Sequence, residues 1–493
     1  MTVDGPPELI EGWNRLLVEP RRPRVIREQP NAHWLAVAAV CVGALMSQLD
    51  ASIVTVALPT MQHSFHASVG SVTWVGLSYL LVLVATITAV GRFADMWGRK
   101  LIYVYGFLLF VVASALCGLA PDLAALCGFR VLQAVGAAMM QANSLAIILL
   151  VVPGRSLGKA LGFQGAAQAI GLALGPTVGG LLLSAGGWRL IFFVNVPIGL
   201  IGVLAALCFV PRSQNLLART AFDWSGLSLF FPAIVALLCG ISFGATSGWN
   251  SPLIIGLFVA AAVLAACFIR HERSTANPMM DPALLANRRF SLGIFSGMGA
   301  YVVLFGVLLV IPFYLERALH LGTARAGLEL MALPLCFGIF SPVAGRLADR
   351  LGVRPLAVTG MLLVAGGLIG LAAVPASTMW LLLLLGVVGA GLGLFVAPNN
   401  VSIMGAAPPQ QAGMASGILN MSRGAGTALG LAVTGLVFAI SGGGHTGAGA
   451  AAGANHAFMV TALVLAGLAT LTALVAGVRS QGRLGDVRLA TLE

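Results

Sequence analysis

The chain has 493 residues, of which 59% are hydrophobic and only 9% charged, with a mean hydropathy of +0.97 and a formal net charge of +11. A soluble protein of this size cannot hide so much apolar surface, and the sequence divides into apolar runs of about 20 residues, the length that carries a helix across ~30 Å of hydrocarbon. The positive charge does not point to nucleic acid, because it falls in alternate loops between these runs, as expected of a membrane protein.

The first 30 residues are polar, with Arg21, Arg22, Arg24 and Arg27 and no apolar centre, so no signal peptide is expected there. The first span, Trp34 to Leu58, carries an acid, Asp50, in the string LDASIVTVALP. Acids at such depth cost ~2.5–3.5 kcal/mol on insertion scales, which marks them as functional. The second span, Val72 to Phe93, runs into the hinge Gly91–Lys100, GRFADMWGRK. Here Gly91 and Gly98 permit close backbone approach and a tight turn, and Asp95 is placed to accept backbone N–H bonds or to pair with an arginine such as Arg99.

The third and fourth spans are Leu101 to Ala120 and Leu123 to Val151. Arg130 lies in the fourth, within RVLQAVGAA, nine residues after Pro121, while Asp50 lies nine residues before Pro59. The two spans run in opposite directions, so acid and arginine sit at similar depth, within reach of pairing if the spans are neighbours. Gln133 follows on the same face as Arg130. The fifth span, Leu157 to Ser184, contains GLALGPTVGG: Gly171, Gly175 and Gly179 recur every four residues, Gly180 follows, and Pro176 removes a backbone hydrogen bond. The sixth span is Trp188 to Val210, and two more, Trp224 to Gly244 and Leu253 to Phe268, precede a polar connection, Arg270 to Arg289, read as a cytoplasmic linker.

Six further spans follow: Phe290 to Tyr314, Ala326 to Leu347, Leu356 to Val374, Met379 to Val401, Gly413 to Ile440 and His456 to Val478. The tenth ends in a second hinge, Gly345 to Arg354, GRLADRLGVR, which repeats Gly-Arg-x-Ala-Asp-x-x-Gly with Gly345 and Asp349 in the places of Gly91 and Asp95. Glu329 lies near an outer end and Arg423 deep in the glycine-rich thirteenth span. Gln141, Gln168 and Asn420, with Gln133, Glu329 and Arg423, are candidates to line a substrate cavity; helix-to-helix hydrogen bonding is the competing role. Ser441 to Asn455, rich in Gly and Ala, is expected to be a flexible external loop.

The duplicated hinges lie 254 residues apart with eight spans between them, whereas a plain six-plus-six duplication puts six there. Two spans are therefore inserted between two pseudo-symmetric halves, the plan by which many transporters build alternating access. The expected division is a tail over 1–32, a six-helix bundle over 33–211, two inserted helices over 212–270, a linker over 271–289, a second six-helix bundle over 290–478 and a tail over 479–493. Of the 27 basic residues, 22 lie on the side of the N-terminus and only Arg189, Arg317 and Arg325 on the other, which places both termini in the cytoplasm. The seven cysteines and seven histidines show no metal-ligand spacing and no disulfide pattern. GRSLGKA, Gly154 to Ala160, has the wrong spacing for a phosphate loop.

These motifs resemble the major facilitator superfamily over essentially the whole chain. The hinges are similar to its motif A, RVLQAVGAA to motif B with Ala134 at a usual glycine, and GLALGPTVGG to the antiporter motif C. LDASIVTVALP and GWRLIFFVNVPIG, Gly187 to Gly199, resemble the fourteen-span drug:proton antiporters, all-α integral membrane proteins. The resemblance implies that Asp50 is the proton-carrying acid, Arg130 its coupling partner, Asp95 with Arg99 part of a cytoplasmic latch, and motif C the seal of the outward-closed interface. It departs from the pattern at Met96, usually basic, at Thr55, usually asparagine, and in lacking a proline at 88–90. The implied function is export of small amphiphilic organic compounds across a bacterial inner membrane, driven by the proton motive force, by a monomer needing no cofactor or metal. A dedicated exporter of one natural product, or a non-transporting sensor or scaffold, is the alternative.

Overall fold

The computed structural model describes residues 19–67, 69–213, 222–275, 278–317, 328–373, 378–443 and 450–478. All regular structure among the described residues is helical, and fourteen helices are long and apolar enough to cross a membrane. The physical reason is simple: hydrocarbon offers no hydrogen-bond partner, so each span must satisfy its own backbone.

The first six spanning helices are α1 (Ala32–Phe65), α2 (Val69–Trp97), α3 (Arg99–Gly118), α4 (Leu123–Val151), α5 (Leu157–Gly186) and α6 (Asn195–Phe209). The inserted pair is α7 (Trp224–Ser247) and α8 (Pro252–Ser274). The second set is α9 (Arg288–Arg317), α10 (Ala332–Leu351), α11 (Val353–Ala373), α12 (Thr378–Met404), α13 (Ala412–Phe438) and α14 (Ala450–Gly477). Two large apolar cores are present: one surrounds Tyr103, Phe107, Phe110 and Met140 of the first half and reaches Ile403, Met414 and Ile418 of the second, and the other surrounds Leu304, Phe337, Val388 and Phe395. Leu81 and Val84 of α2, Leu238 of α7 and Ala428 of α13 share one buried cluster, so the inserted pair lies along a seam between the halves.

The structure adds local detail to these expectations. The hinges are not loops, because α2 runs to Trp97 and α10 to Leu351, and the chain turns only at Gly98 (φ 115°) and Gly352 (φ 84°). Backbone of that hand is open to glycine and strained for other residues. The sixth span runs helical from Leu190 to Phe209, with Val194, between Leu190–Phe193 and α6, keeping helical dihedrals (φ −60°, ψ −28°). The described part of the linker makes defined contacts. Buried Glu272 accepts the N–H groups of Met279 and Met280, at 3.2 and 2.9 Å, and Gln411 donates to Asp281 at 2.6 Å. Finally, the stretch read as an external loop is helical from Ala450, since its alanines favour helix; residues 444–449 lie outside the described residues.

Candidate functional site

Five helices of the first half bring polar side chains to one point. Asp50 on α1 receives Nη1 of Arg130 on Oδ2 at 2.7 Å. Its Oδ1 receives Nε2 of Gln133 at 3.0 Å and Nδ2 of Asn195, from α6, at 2.8 Å. Arg130 also donates to Gln133 Oε1 at 2.6 Å and, through Nε, to the Val75 carbonyl of α2 at 3.0 Å, with the Tyr79 ring 4.1 Å from its guanidinium carbon. Gln133 closes the network by donating to Ser114 of α3 at 2.8 Å. Asp50, Gln133 and Asn195 have no exposure and Arg130 has 1%.

An ion pair buried this deeply survives only when its remaining hydrogen-bonding capacity is used, because desolvating each charge costs several kcal/mol. The arrangement meets that need with two amides, a hydroxyl and a carbonyl. Gln133, read as a cavity candidate, is instead a strut between acid and arginine. Asn195 was not singled out in the sequence; its signal was a lone amide within the apolar string FFVNVPIG.

The duplicated hinges make a second, two-fold arrangement. Asp95 accepts the backbone N–H groups of Gly413 and Met414, both at 2.8 Å, at the start of α13 in the other half. Asp349 accepts those of Gly158 and Lys159, at 3.0 and 3.3 Å, at the start of α5. Each acid thus caps, across the seam, a helix end whose first N–H groups have no partner within their own helix. Gly91 lies so close to the Gly413 backbone, and Gly345 to that of Gly158, that no Cβ fits at either.

The two copies are unequal. Arg99 pairs with Asp95 at 2.6 Å and donates to the carbonyls of Pro409 and Gln410, at 2.8 and 3.1 Å, whereas Val353 occupies the matching place in the second hinge. The segment before α1 reinforces the first hinge. Glu19 accepts from Leu101 N–H at 3.2 Å and Ser213 Oγ at 2.7 Å, and Lys100 donates to the carbonyls of Pro20 and Leu207. These contacts close the molecule at its hinge side.

The glycine string of α5 packs within the first half. Gly171 faces the Leu45 carbonyl, Gly175 faces Ser52 and Gly179 faces Ile53, all on α1 of the same half. Gly180 meets nothing and is outside this face, and the helix is continuous through Pro176. The string therefore sets the α1–α5 contact inside the first half, while α5 meets α10 across the seam through Gly158, Gly162 and Gly165. Gly175→Leu is expected to lower transport at least ~10-fold with membrane insertion intact, because overpacking costs ~1–3 kcal/mol and Ser52 is two residues from Asp50. Efflux is measured against expression; wild-type efflux at normal expression would show that this contact gives way freely.

The remaining candidates divide by half. Gln141, Gln164 and Gln168 face a small pocket between α1, α3, α4 and α5. Asn420 of α13 donates to the Gln141 carbonyl of α4 at 3.0 Å, across the seam, and accepts from Arg423 at 3.1 Å. Glu329 is buried at the end of the tenth span opposite the hinge, and the hydrogen bonds of Arg423 to Asn400 and Asn420 do not include it.

Two pseudo-equivalent helical halves, cross-capped hinges and a buried ion pair define a multi-pass membrane transporter rather than an enzyme. Residues 40–269 and 290–488 match the Major Facilitator Superfamily, and the chain belongs to that family. It is 36% identical to the multidrug resistance protein Stp of Mycobacterium tuberculosis (strain CDC 1551 / Oshkosh) over 82% of this chain and 76% of that one. It is 33% identical to the riboflavin transporter RibZ of Clostridioides difficile (strain 630), over 83% of this chain and 89% of that one. The crystal structure of the human organic anion transporter MFSD10 superposes with a TM-score of 0.65 over 91% of this chain and all of that one; at 15% identity it shows the fold alone.

Proposed function

We propose that the protein is a proton-coupled antiporter that exports amphiphilic organic compounds across a bacterial cytoplasmic membrane, working as a monomer. The observation that supports this most is the fully buried Asp50–Arg130 pair, held by Gln133 and Asn195 from two helices. A carboxylate there exchanges its proton only when helix movement admits water. Protonation of Asp50 weakens its hold on Arg130, and the same movement that separates them opens the path by which the proton leaves. With α1 packed on α5 by its glycines, a shift of α5 against α10 reaches Asp50 directly. The test is substrate-induced proton movement in proteoliposomes of purified protein, after a growth-inhibition panel of dyes and antibiotics in an efflux-deficient host has supplied a substrate. Substrate movement with no proton movement would leave a transporter of another kind.

The orientation belongs to the same reading. Reporters fused at Gln214 and Arg273 are expected to read out in the cytoplasm and one at Gly447 outside; Gln214 and Gly447 lie outside the described residues. A cytoplasmic signal at Gly447 would overturn the map.

A further inference from the structure

The second half contains a buried cation that no acid among the described residues pairs with. Arg423 is 6% exposed and sits eleven residues into α13, about 16 Å from its start and so near the middle of a ~30 Å hydrocarbon layer. Its Nη2 donates to Asn400 Oδ1 of α12 at 2.9 Å, its Nη1 to Asn420 Oδ1 at 3.1 Å, and the Tyr301 ring of α9 lies 5.3 Å from its guanidinium carbon. No carboxylate of the described residues pairs with it. Arg130, 1% exposed in the first half, has Asp50.

The amides define the polarity of the place. Asn400 spends its oxygen on Arg423, so its Nδ2 is the atom left over, and that donor is buried without a partner. Both groups line a small cavity with Tyr301, Asn399 and Ser422. Guanidinium and amide N–H groups converge there, and no carboxylate of the described residues receives them. A buried charge costs several kcal/mol unless a partner compensates it, and neutral amide oxygens do so only in part. The group such a cavity fits is a planar anionic acceptor that takes a guanidinium and an amide together.

We infer that Arg423 and Asn400 bind the carboxylate of the transported compound, so that the substrates include amphiphilic organic acids. This rests on the exporter reading above and adds the substrate class to it. The hinge-side-closed arrangement leaves room for little more than a water-sized group. The carboxylate therefore reaches Arg423 when the seam between α4 and α13 parts, at the Asn420–Gln141 bond.

Inverted membrane vesicles containing the full chain test this with two dyes on one xanthene skeleton, fluorescein, which bears a carboxylate, and rhodamine 6G, its esterified cationic counterpart. The wild type is expected to move fluorescein in a pH-gradient-dependent manner. Arg423→Gln should lower the ratio of fluorescein to rhodamine movement at least ~10-fold, the size of a lost charge-assisted hydrogen bond, and Arg423→Lys should restore part of it. Asn400→Asp supplies a carboxylate from within, which stabilises the buried cation while filling the site, and should lower the ratio to a similar extent. Fluorescein anisotropy with the purified proteins should report the same order of affinities. A wild type that moves rhodamine but not fluorescein, or a ratio unchanged in both Arg423→Gln and Asn400→Asp, would overturn the assignment. Rhodamine movement that requires chloride and is lost in Arg423→Gln would also overturn it, by giving the site to an inorganic anion. Movement of neither dye, nor of any compound in the growth panel, would remove the exporter reading and this inference with it.

Discussion

Asp50→Asn is expected to abolish efflux driven by a pH gradient, a loss of at least ~100-fold, while the protein still inserts and folds. Asparagine keeps the size of the side chain and one acceptor oxygen, so the bond from Arg130 or from Asn195 can persist. What it lacks is a titratable proton, and among the described residues the first half offers no other acid in this network. The substitution also leaves Arg130 buried beside a neutral group, and breaking a buried pair by removing one partner costs ~3–5 kcal/mol. A double variant, Asp50→Asn with Arg130→Gln, removes both charges and separates the two effects. It is expected to recover normal thermal stability and remain inactive. Arg130→Ala alone should be both less stable and inactive, because Asp50 then lies buried without its cation. The measurement is substrate-induced proton movement in proteoliposomes, with substrate binding followed separately. Undiminished proton movement in Asp50→Asn would move coupling elsewhere, with Glu329 the next acid to test.

Asp95→Ala is expected to open the hinge side of the molecule and Asp349→Ala to do so less. Both acids cap a helix across the seam, and loss of an N-terminal cap costs ~0.5–2 kcal/mol. Asp95 carries more, because it also holds Arg99, and Arg99 in turn holds the carbonyls before α13. Its removal takes away the acid that pairs with buried Arg99 at 2.6 Å, which adds to the cost of closure. Spin labels at Val152 and Ala407, on the hinge-side ends of α4 and α12, report the outcome as a distance distribution. The wild type should populate the short distance, Asp95→Ala should shift most of the population to a longer one, and Asp349→Ala should give a mixture. A distribution unchanged in Asp95→Ala, or a larger shift in Asp349→Ala, would show that the seam is held by its apolar contacts and not by the capped helices.

The hinge repeat, the fourteen spans and the similar depth of Asp50 and Arg130 were legible in the sequence for physical reasons that act locally. A bilayer sets the length of each apolar run, an acid in such a run is costly enough to be conspicuous, and a turn between helices demands glycine at Gly98 and Gly352. The pairing of Asp50 with Arg130 followed from depth, given neighbouring spans. Partner choice across helices was not legible, because helical periodicity says which face a residue occupies and not which helix that face meets. Tertiary structure alone decided that Gln133 braces the ion pair, that Asn195 joins it, and that the glycines of α5 face α1 within one half instead of the seam between halves. It also decided that the hinge acids cap helices of the opposite half, and that Arg423 stands among amides with no acid of the described residues paired to it, since both depend on residues hundreds of positions apart or on spans with no local signal for one another.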